Sequence, residues 1–285
     1  MGAPADIPRL PARKPGTHKG TVGKVHVVAG SGQFQGAGAL AAMGALRAGA
    51  GLVFFSFPRS LYSAYAARLW EVILRPQPET DDAAISSSAL EDVLAFSKGL
   101  QSAAVGPGFS QNPSAGKLAR ELYRKLEVPA VFDADALNAL SLGGADLSDH
   151  AAPRVLTPHP GEFARFRKHL ELPEDDHEAA ASICRANNVT LVYKSHEPVV
   201  FGADRVQKVT SGSSALATGG TGDVLTGIIS AFLARMEPWE AAVTGTYVHG
   251  RCGTLAGEEL TKECVIASDL FKYMPQAMRE VIEQD

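Results

Sequence analysis

Short apolar runs rich in β-branched residues alternate with longer Ala/Leu-rich runs along this chain. The short runs predict strands at residues 24–28, 52–57, 103–105, 130–132, 154–156 and 191–193, then a hairpin-like pair at 199–201 and 205–209. The longer runs predict helices at residues 37–48, 60–69, 88–96, 114–125, 161–169, 175–187, 223–234, 240–259 and 268–283. This alternation is typical of right-handed βαβ units. It predicts an α/β fold with a mainly parallel sheet, helices on both faces, and ligands at the carboxyl ends of the strands.

No linker, repeat or low-complexity block divides the sequence, and residues 76–82 are predicted to form only a polar loop. A chain of 285 residues fits one large α/β domain or two small ones. Because nothing separates two units, we expect a single domain over residues 1–285. Residues 1–14 are expected to be a loosely ordered N-terminal segment.

Composition indicates a soluble globular enzyme, with 45% hydrophobic residues and a net charge of −4. A negative net charge makes nucleic acid an improbable partner. No apolar run is long enough to cross a membrane, since Arg47 interrupts the most apolar N-terminal stretch, and the first residues lack a signal core. Cys184, Cys252 and Cys264 show no CxxC spacing and are expected to be reduced thiols of a cytoplasmic protein.

Basic residues dominate the stretch from Ile7 to Trp70, which contains no acid. Eight bases fall in it: Arg9, Arg13, Lys14, Lys19, Lys24, Arg47, Arg59 and Arg68. Such an excess favours an anionic ligand through the local potential. Equally, these side chains could be scattered over the surface.

The segment Ala217–Leu225 combines three glycines, one acid and the start of an apolar helical stripe. Glycines let a backbone approach a ligand closely, and a helix N-terminus offers unpaired N–H groups to an anion. Asp223 would then lie beside a bound phosphate, where it is a candidate general base for phosphoryl transfer. The alternative is an ordinary helix N-cap after a Gly-rich turn.

Other familiar motifs are incomplete. The glycines of 30–36 are spaced one residue too widely for a dinucleotide fingerprint, and residues 20–24 are too short for a P-loop. His249 and Cys252 share a helix at i,i+3 but have no second pair, so core packing is favoured over metal binding. The phosphate site is therefore assigned to the turn before Asp223.

Polar residues follow several predicted strands. Asp133 and Asp135 follow 130–132 and could hold Mg²⁺, anchor a loop or cap a helix. His159 lies between two prolines that stiffen the backbone, which favours contact with a ligand over a purely structural role. Lys194 ends an apolar strand and could meet a phosphate, or simply extend its ammonium to solvent.

Taken together, the motifs resemble those of ADP-dependent NAD(P)H-hydrate dehydratases, and the resemblance runs from about Leu10 to the C-terminus. The matching segments, in order, are 18–23, 30–31, 36–37, 47–51, 106–108, 133–138, 157–162 and 219–227. The resemblance implies a ribokinase-like three-layer α/β/α fold with a central, mostly parallel sheet.

The same resemblance implies a metabolite-repair reaction. The S epimer of NADHX or NADPHX would be phosphorylated on its C6 hydroxyl by ADP, and loss of phosphate would restore NAD(P)H with AMP as co-product. Mg²⁺ would bridge the phosphates. Relatives imply a cytoplasmic homo-oligomer, such as a tetramer.

Residue roles also follow from the resemblance. The catalytic set would be Asp223 as base, with the backbone amides of Gly220, Thr221 and Gly222 around the transferred phosphoryl group. NAD(P)HX would contact Ala37, Gly106, Gly108, His159 and Asp223. The ADP or AMP portion would contact Lys194, Ser195, His196, Glu197, Pro198 and Gly222. The metal ligands stay unassigned, with Asp133, Asp135 and Glu162 as candidates.

Two segments depart from the family pattern. Ser195 stands where Lys194 is usually followed by glycine, and residues 212–217 differ from the usual Gly-Asn-x-Gly-Met-Ala. Both fall on the nucleotide side and leave the choice between ADP and ATP open. Two alternatives therefore stand beside the dehydratase: a hydroxymethyl kinase of the same fold, and a non-catalytic nucleotide-binding relative.

Overall fold

The computed structural model describes residues 2–282 and joins nine strands into one sheet, in the order β3-β2-β1-β4-β5-β6-β7-β8-β9. The strands are β1 (Lys24–Val28), β2 (Leu52–Pro58), β3 (Ile73–Gln77), β4 (Ser102–Val105), β5 (Ala130–Phe132), β6 (Arg154–Leu156), β7 (Thr190–Tyr193), β8 (Val199–Phe201) and β9 (Val206–Lys208). Strands β1 to β7 are parallel, and β8 and β9 pair antiparallel at one edge.

Helices cover both faces of this sheet. They are α1 (Gln35–Arg47), α2 (Tyr62–Ala66), α3 (Leu90–Ser97), α4 (Pro113–Lys125), α5 (Asp135–Leu142), α6 (Pro160–His169), α7 (Asp176–Asn187), α8 (Thr221–Leu233), α9 (Pro238–Leu260) and α10 (Leu270–Val281). One buried apolar cluster lies under α1, α8, α9 and α10, and a second lies under α3 to α7. Alternate strand residues serve the two clusters, as Val131 and Phe132 of β5 do. The expected three-layer α/β/α architecture is confirmed.

Register aligns the carboxyl ends of the central strands. Val28 pairs with Val105, Val105 with Phe132, and Phe132 with Leu156. The segments that follow these strands therefore emerge side by side at the end of the sheet where the parallel strands finish, here called the carboxyl end of the sheet.

Two elements differ from the sequence prediction. Residues 76–77, predicted as loop, belong to β3, where Pro76 is tolerated because β3 is the sheet's edge strand. Helix α5 was not predicted as a helix; it begins at Asp135, after Ala134 with φ of 53°.

The N-terminal segment, expected to be loosely ordered, packs along the last helix over residues 3–10. Ile7 and Leu10 are buried, and the Leu10 N–H donates to the carbonyl of Val281. Arg235, just past the end of α8, donates to the carbonyl of Pro11. This segment therefore lies at the opposite end of the sheet, where the parallel strands begin, here called the amino end of the sheet. Across residues 2–282 no helix is long and apolar enough to span a membrane.

Arg154, the first residue of β6, is buried at the amino end of the sheet. Its guanidinium donates to the carbonyls of Tyr123, Leu126, Val128 and Pro153, and burial lowers its pKa to about 10. No carboxylate lies within ion-pair distance of it among residues 2–282. Backbone carbonyls solvate this charge, and the rings of Tyr123 and Phe132 lie 5.7 and 5.8 Å from its Cζ.

Candidate active site

The Gly-rich turn before α8 lies at the carboxyl end of the sheet. Gly220 precedes the helix with φ of 92°, and a Cβ built there would lie 2.6 Å from the Leu40 Cδ1 of α1. Glycine is therefore favoured by the left-handed conformation, since the Leu40 methyl is the movable end of a side chain. The Thr221 hydroxyl donates to the carbonyls of Leu216 and Thr218, which fixes the incoming loop.

Backbone donors at this turn face outward. Val224 is the first residue of α8 whose N–H bonds back, to the carbonyl of Gly220 at 3.2 Å. The N–H groups of Thr221, Gly222 and Asp223 precede that bond and have no intrahelical partner. Together with the helix dipole, they favour an anion at this turn, here called the anion site, and the binding of phosphate there stays a prediction.

Asp223 is the acid of this first turn and is only partly exposed. Burial, with a smaller contribution from the charge of Asp133, raises its pKa to about 7, and the ammonium of Lys194 opposes the shift. A carboxyl with this pKa is half ionised near neutral pH, which suits a general base. An exposed helix-capping aspartate would not show such a shift.

Lys194 joins the carboxylates at the end of β5 and β6. Its Nζ lies 2.6 Å from Asp133 Oδ1 and 4.0 Å from Glu162 Oε2. The second oxygen of Asp133 accepts from the Thr226 hydroxyl at 2.6 Å, so Asp133 is buried with both oxygens occupied. Lys194 is therefore held in place by Asp133 and does not extend freely to solvent.

Negative charge exceeds positive charge in this cluster. Asp133, Glu162 and Asp223 interact with the ammonium of Lys194, and Arg165 adds a weaker positive contribution. Burial, followed by the charge of Asp133, raises the pKa of Glu162 to about 7. Residues 2–282 contain no group of three His, Cys, Asp or Glu side chains arranged to hold a metal by themselves. A divalent cation would fit the excess charge only if phosphate and water supplied most of its ligands, as Mg²⁺ commonly requires.

His159 caps α6. Its Nδ1 accepts from the N–H groups of Gly161 and Glu162, and the Glu162 carboxylate accepts from the His159 N–H at 2.9 Å. Burial and the charges of Lys194 and Arg165 lower the His159 pKa, so the ring is neutral, and its Nε2 lies 3.4 Å from Glu162 Oε1. The sequence located this histidine, but the reciprocal cap with Glu162 was not foreseen.

A cavity of about 270 Å³ opens beside this cluster. Of the residues predicted to contact nucleotide, Lys194, Ser195, Pro198 and Gly222 line it, and His159 lines it too. His196 and Glu197, in the same β7–β8 turn, are exposed and do not line it. Three larger cavities, of 460, 490 and 780 Å³, contain none of the predicted site residues.

The remaining predicted substrate residues lie on the other side of Asp223, towards α1. A Cβ built at Gly108 would lie 2.9 Å from the Cβ of Ala37, and one built at Gly106 would overlap the carbonyl oxygen of Asp133. Asp223 is close to this side as well, since its Oδ2 is 3.9 Å from a Cβ built at Gly220, which also meets α1. Asp135 accepts from the Ser110 N–H in the same region.

Three polar residues of the site were missed. Thr226 anchors Asp133, while Thr246 and His249 of α9 line the cavity, and His249 Nε2 lies 2.9 Å from the Thr221 carbonyl oxygen. The available signal was a pair of polar residues at i,i+3 on an otherwise apolar or small helix face. The eight bases of residues 7–70 do not line this cavity, which favours the scattered alternative for them.

Comparison with known proteins relates the whole fold to one family. The family model described as NAD(P)H-hydrate dehydratase matches residues 25–276. A bifunctional NAD(P)H-hydrate repair enzyme of Moorella thermoacetica is 38% identical over 280 residues, covering 97% of this chain and 53% of that protein. One of Thermofilum pendens is 34% identical, with 96% and 53% covered. The chain thus spans about half the length of these relatives.

Solved structures extend the comparison. An ADP/ATP-dependent NAD(P)H-hydrate dehydratase of Bacillus subtilis, co-crystallised with ATP and Mg²⁺, superposes with a TM-score of 0.77 at 25% identity, covering 98% of this chain and 100% of the other. A ribokinase-like protein of Enterococcus faecalis gives a TM-score of 0.79 at 23% identity, covering 97% and 93%, and supports the fold alone. With the matching family model, these similarities show that the chain belongs to the NAD(P)H-hydrate dehydratase family.

Proposed function

We propose that this protein catalyses the ADP-dependent dehydration of the S epimer of NADHX and NADPHX, restoring NAD(P)H and releasing AMP and phosphate. The observation that carries the proposal is Asp223, whose pKa is raised to about 7 at the first turn of α8, between the anion site and the α1 side of the cleft. The Bacillus subtilis structure supports a nucleotide-dependent reaction for this fold.

The chemistry needs a base next to a phosphate site. Asp223 removes the proton from the C6 hydroxyl, and that oxygen attacks the β-phosphorus of ADP while the bond to AMP breaks. The N–H groups of Gly220, Thr221 and Gly222 stabilise the charge on the transferred group. Phosphate then leaves C6, pushed out by the ring-nitrogen lone pair, and loss of a C5 proton restores the dihydronicotinamide. Phosphorylation matters because hydroxide alone is a poor leaving group.

Substrate and nucleotide occupy opposite sides of Asp223 in this proposal. NAD(P)HX contacts Ala37, Gly106, Gly108 and the half-exposed ring of His159. ADP contacts the turn from Lys194 to Pro198 together with Gly222. Support for the nucleotide side comes from the cavity that Lys194, Ser195, Pro198 and Gly222 line together.

Mg²⁺ would neutralise the phosphates beside Lys194. Glu162 is the carboxylate that would hold it, directly or through water, because it faces Lys194 and the cavity, whereas both oxygens of the buried Asp133 are already bound. Whether ADP or ATP is preferred depends on the Ser195 side of the cavity.

The deciding experiment incubates the protein with chemically prepared NADHX, Mg²⁺, and either ADP or ATP. Recovery of the reduced nicotinamide absorbance, with one AMP formed per turnover from ADP, is expected. No recovery with either donor contradicts the proposal. A stable phosphorylated product from a thiazole or pyridoxal alcohol would indicate the hydroxymethyl kinase, and nucleotide binding without any turnover would indicate the non-catalytic relative.

We further propose a cytoplasmic homo-oligomer. The buried free thiols of Cys184 and Cys252 support a reducing compartment. Trp70, 81% exposed, and Ile73, 42% exposed, lie three residues apart at the start of the edge strand β3, which supports contact with a second copy. Sedimentation of the purified protein as a monomer would contradict the oligomer.

A further inference from the structure

The 270 Å³ cavity has a charged end and an apolar end. Lys194 marks the charged end, because its Nζ would lie 3.4 Å from a Cβ built at Gly222, beside the anion site of α8. Val192, Leu216 and Leu225 supply apolar walls. A nucleotide bound with its phosphates at Lys194 and Gly222 therefore places its base among these walls, against α9.

Thr246 of α9 brings an unsatisfied polar atom to these walls. The residue is 3% exposed, and its Oγ1 is buried without a hydrogen-bond partner among the described residues. Other hydroxyls of the same helix are satisfied: Thr244 donates to the Pro8 carbonyl and Thr254 to the Ser211 carbonyl. Leaving a buried hydroxyl unpaired is costly, so the unpaired state of Thr246 points to a ligand.

His249 lies one helical turn further along the same face of α9 and also lines the cavity. Its Nε2–H donates to the Thr221 carbonyl, so its Nδ1 carries a lone pair. Burial lowers the pKa of His249 to about 4, which keeps the ring neutral and Nδ1 an acceptor. The wall therefore offers a hydroxyl, which donates or accepts, next to a fixed acceptor.

We propose that Thr246 and His249 bind the nucleotide base and select a 6-aminopurine over a 6-oxopurine. The 6-amino group of adenine donates to His249 Nδ1, and the Thr246 hydroxyl donates to a neighbouring ring nitrogen. Hypoxanthine presents a carbonyl oxygen to His249 instead, so two acceptors face each other. This inference rests on the nucleotide-binding part of the proposed function, and it assigns base recognition to α9.

Binding measured by calorimetry with Mg²⁺, and without any NADHX, tests it. Wild-type protein should bind ADP at least roughly tenfold more tightly than inosine diphosphate, since a site built to accept a hydrogen bond rejects an analogue that cannot donate one. Thr246→Val should weaken ADP binding by roughly 3- to 10-fold, the effect of one neutral hydrogen bond. Inorganic pyrophosphate, which has no base, should bind Thr246→Val and wild type equally.

Matched variants separate recognition from structural damage. Thr246→Ser keeps the hydroxyl and should bind ADP like wild type, and Thr244→Val, on the same helix but paired with Pro8, should keep the wild-type preference for ADP. If Thr246→Val does not fold, the ADP-to-inosine-diphosphate ratio of wild type and Thr246→Ala still decide. Equal wild-type affinity for the two nucleotides, or equal losses for ADP and pyrophosphate in the variant, would overturn the inference. Because no turnover is involved, failure of the dehydratase assay alone leaves these results interpretable.

Discussion

At the scale of single residues, Asp223 is held in an environment that disfavours its charge. Burial and the neighbouring Asp133 raise its pKa from 3.8 to about 7, while Lys194 moderates the shift. Lys194 itself is tied to Asp133 at 2.6 Å, so it cannot fully neutralise Asp223. The result is a carboxyl poised to take a proton near neutral pH.

Replacing Asp223 by asparagine should lower turnover of NADHX by roughly a hundredfold to ten-thousandfold, the usual contribution of a general base. The kcat/KM of wild type should fall about tenfold per pH unit below about pH 7, as the carboxyl takes up its proton. The residual rate of Asp223→Asn should be nearly independent of pH in that range. Asp149→Asn, at an exposed ion pair with Arg124, is the control and should keep wild-type turnover. Near-normal rates in Asp223→Asn would exclude the role of base.

The same shift predicts a pH-dependent stability. A carboxyl whose pKa rises on folding holds its proton more tightly when folded, so its contribution is favourable below about pH 4 and is lost as pH rises to about 7. Asp223→Asn removes this loss and should be more stable than wild type by about 1–3 kcal/mol at about pH 8, and no more stable near pH 4. Chemical denaturation at both pH values measures the difference.

Asp82→Asn provides a control of opposite sign. Hydrogen bonds from Thr80 and Asn112 lower the pKa of Asp82, so this variant should lose stability relative to wild type as pH rises through about 4. If the two variants showed the same pH trend, the electrostatic account of Asp223 would be wrong.

At the scale of elements, α8 both forms the anion site and packs closely against α1. A Cβ built at Gly227 would overlap the Ala41 carbonyl oxygen, and one built at Gly44 would lie 2.7 Å from the Val224 carbonyl oxygen. The two helices therefore meet backbone to backbone, just below the turn that carries Asp223. The position of the turn that bears Asp223 depends on this contact.

Gly227→Ala should therefore destabilise the protein by about 1–3 kcal/mol through overpacking, and should also lower turnover by displacing the first turn of α8. Gly36→Ala is the control, because no atom lies within 4 Å of a Cβ built at Gly36 in the exposed first turn of α1. That variant should match or slightly exceed wild-type stability. Thermal unfolding monitored by circular dichroism distinguishes the two. Equal melting temperatures for both variants would contradict the close helix contact.

Much of this architecture could be predicted because periodicity reports burial directly. Eight of the nine strands in the described residues, all except β3, and nine of the ten helices were placed to within a few residues. Strand β3 was missed because Pro76 and charged neighbours conceal an edge strand that needs few apolar residues. Helix α5 was missed because its start depends on the positive φ of Ala134, which sequence does not show.

The residues of the site were only partly predictable, because some of them are brought together only by the fold. Asp223, His159 and Lys194 belong to short local motifs that can be recognised in the sequence. Thr226 and Thr246 act through partners or cavities formed by residues far away in the chain, such as Asp133, 93 residues from Thr226. Such contacts exist only once the helices have packed on the sheet.

At the scale of the whole molecule, the two ends of the sheet carry different kinds of charged residue. The carboxyl end of the sheet carries the crowded carboxylates of the site. The amino end carries Arg154, which is buried without a carboxylate partner in the described range. Arg154 donates to four backbone carbonyls that end α4 and lead into β5 and β6. It therefore ties one helix and two strands together.

Arg154→Met should destabilise the protein by about 3 kcal/mol or more, because several buried carbonyls lose their donor. Arg205→Met, whose guanidinium lies 4.5 Å over the Trp239 ring on the surface, should cost about 1 kcal/mol or less. Urea unfolding of the two variants gives the comparison. A cost for Arg154→Met no larger than that for Arg205→Met would show that water already satisfies those carbonyls.

The parallel bridge between Leu10 and Ile282 has a practical consequence. Both ends of the described chain meet beside Arg235, at the far end of a helix of 13 residues, about 20 Å from the turn that bears Asp223. A tag, a fluorescent reporter or a surface anchor attached at either end should leave the cleft accessible, and an immobilised form should turn over NADHX at the rate of the free protein.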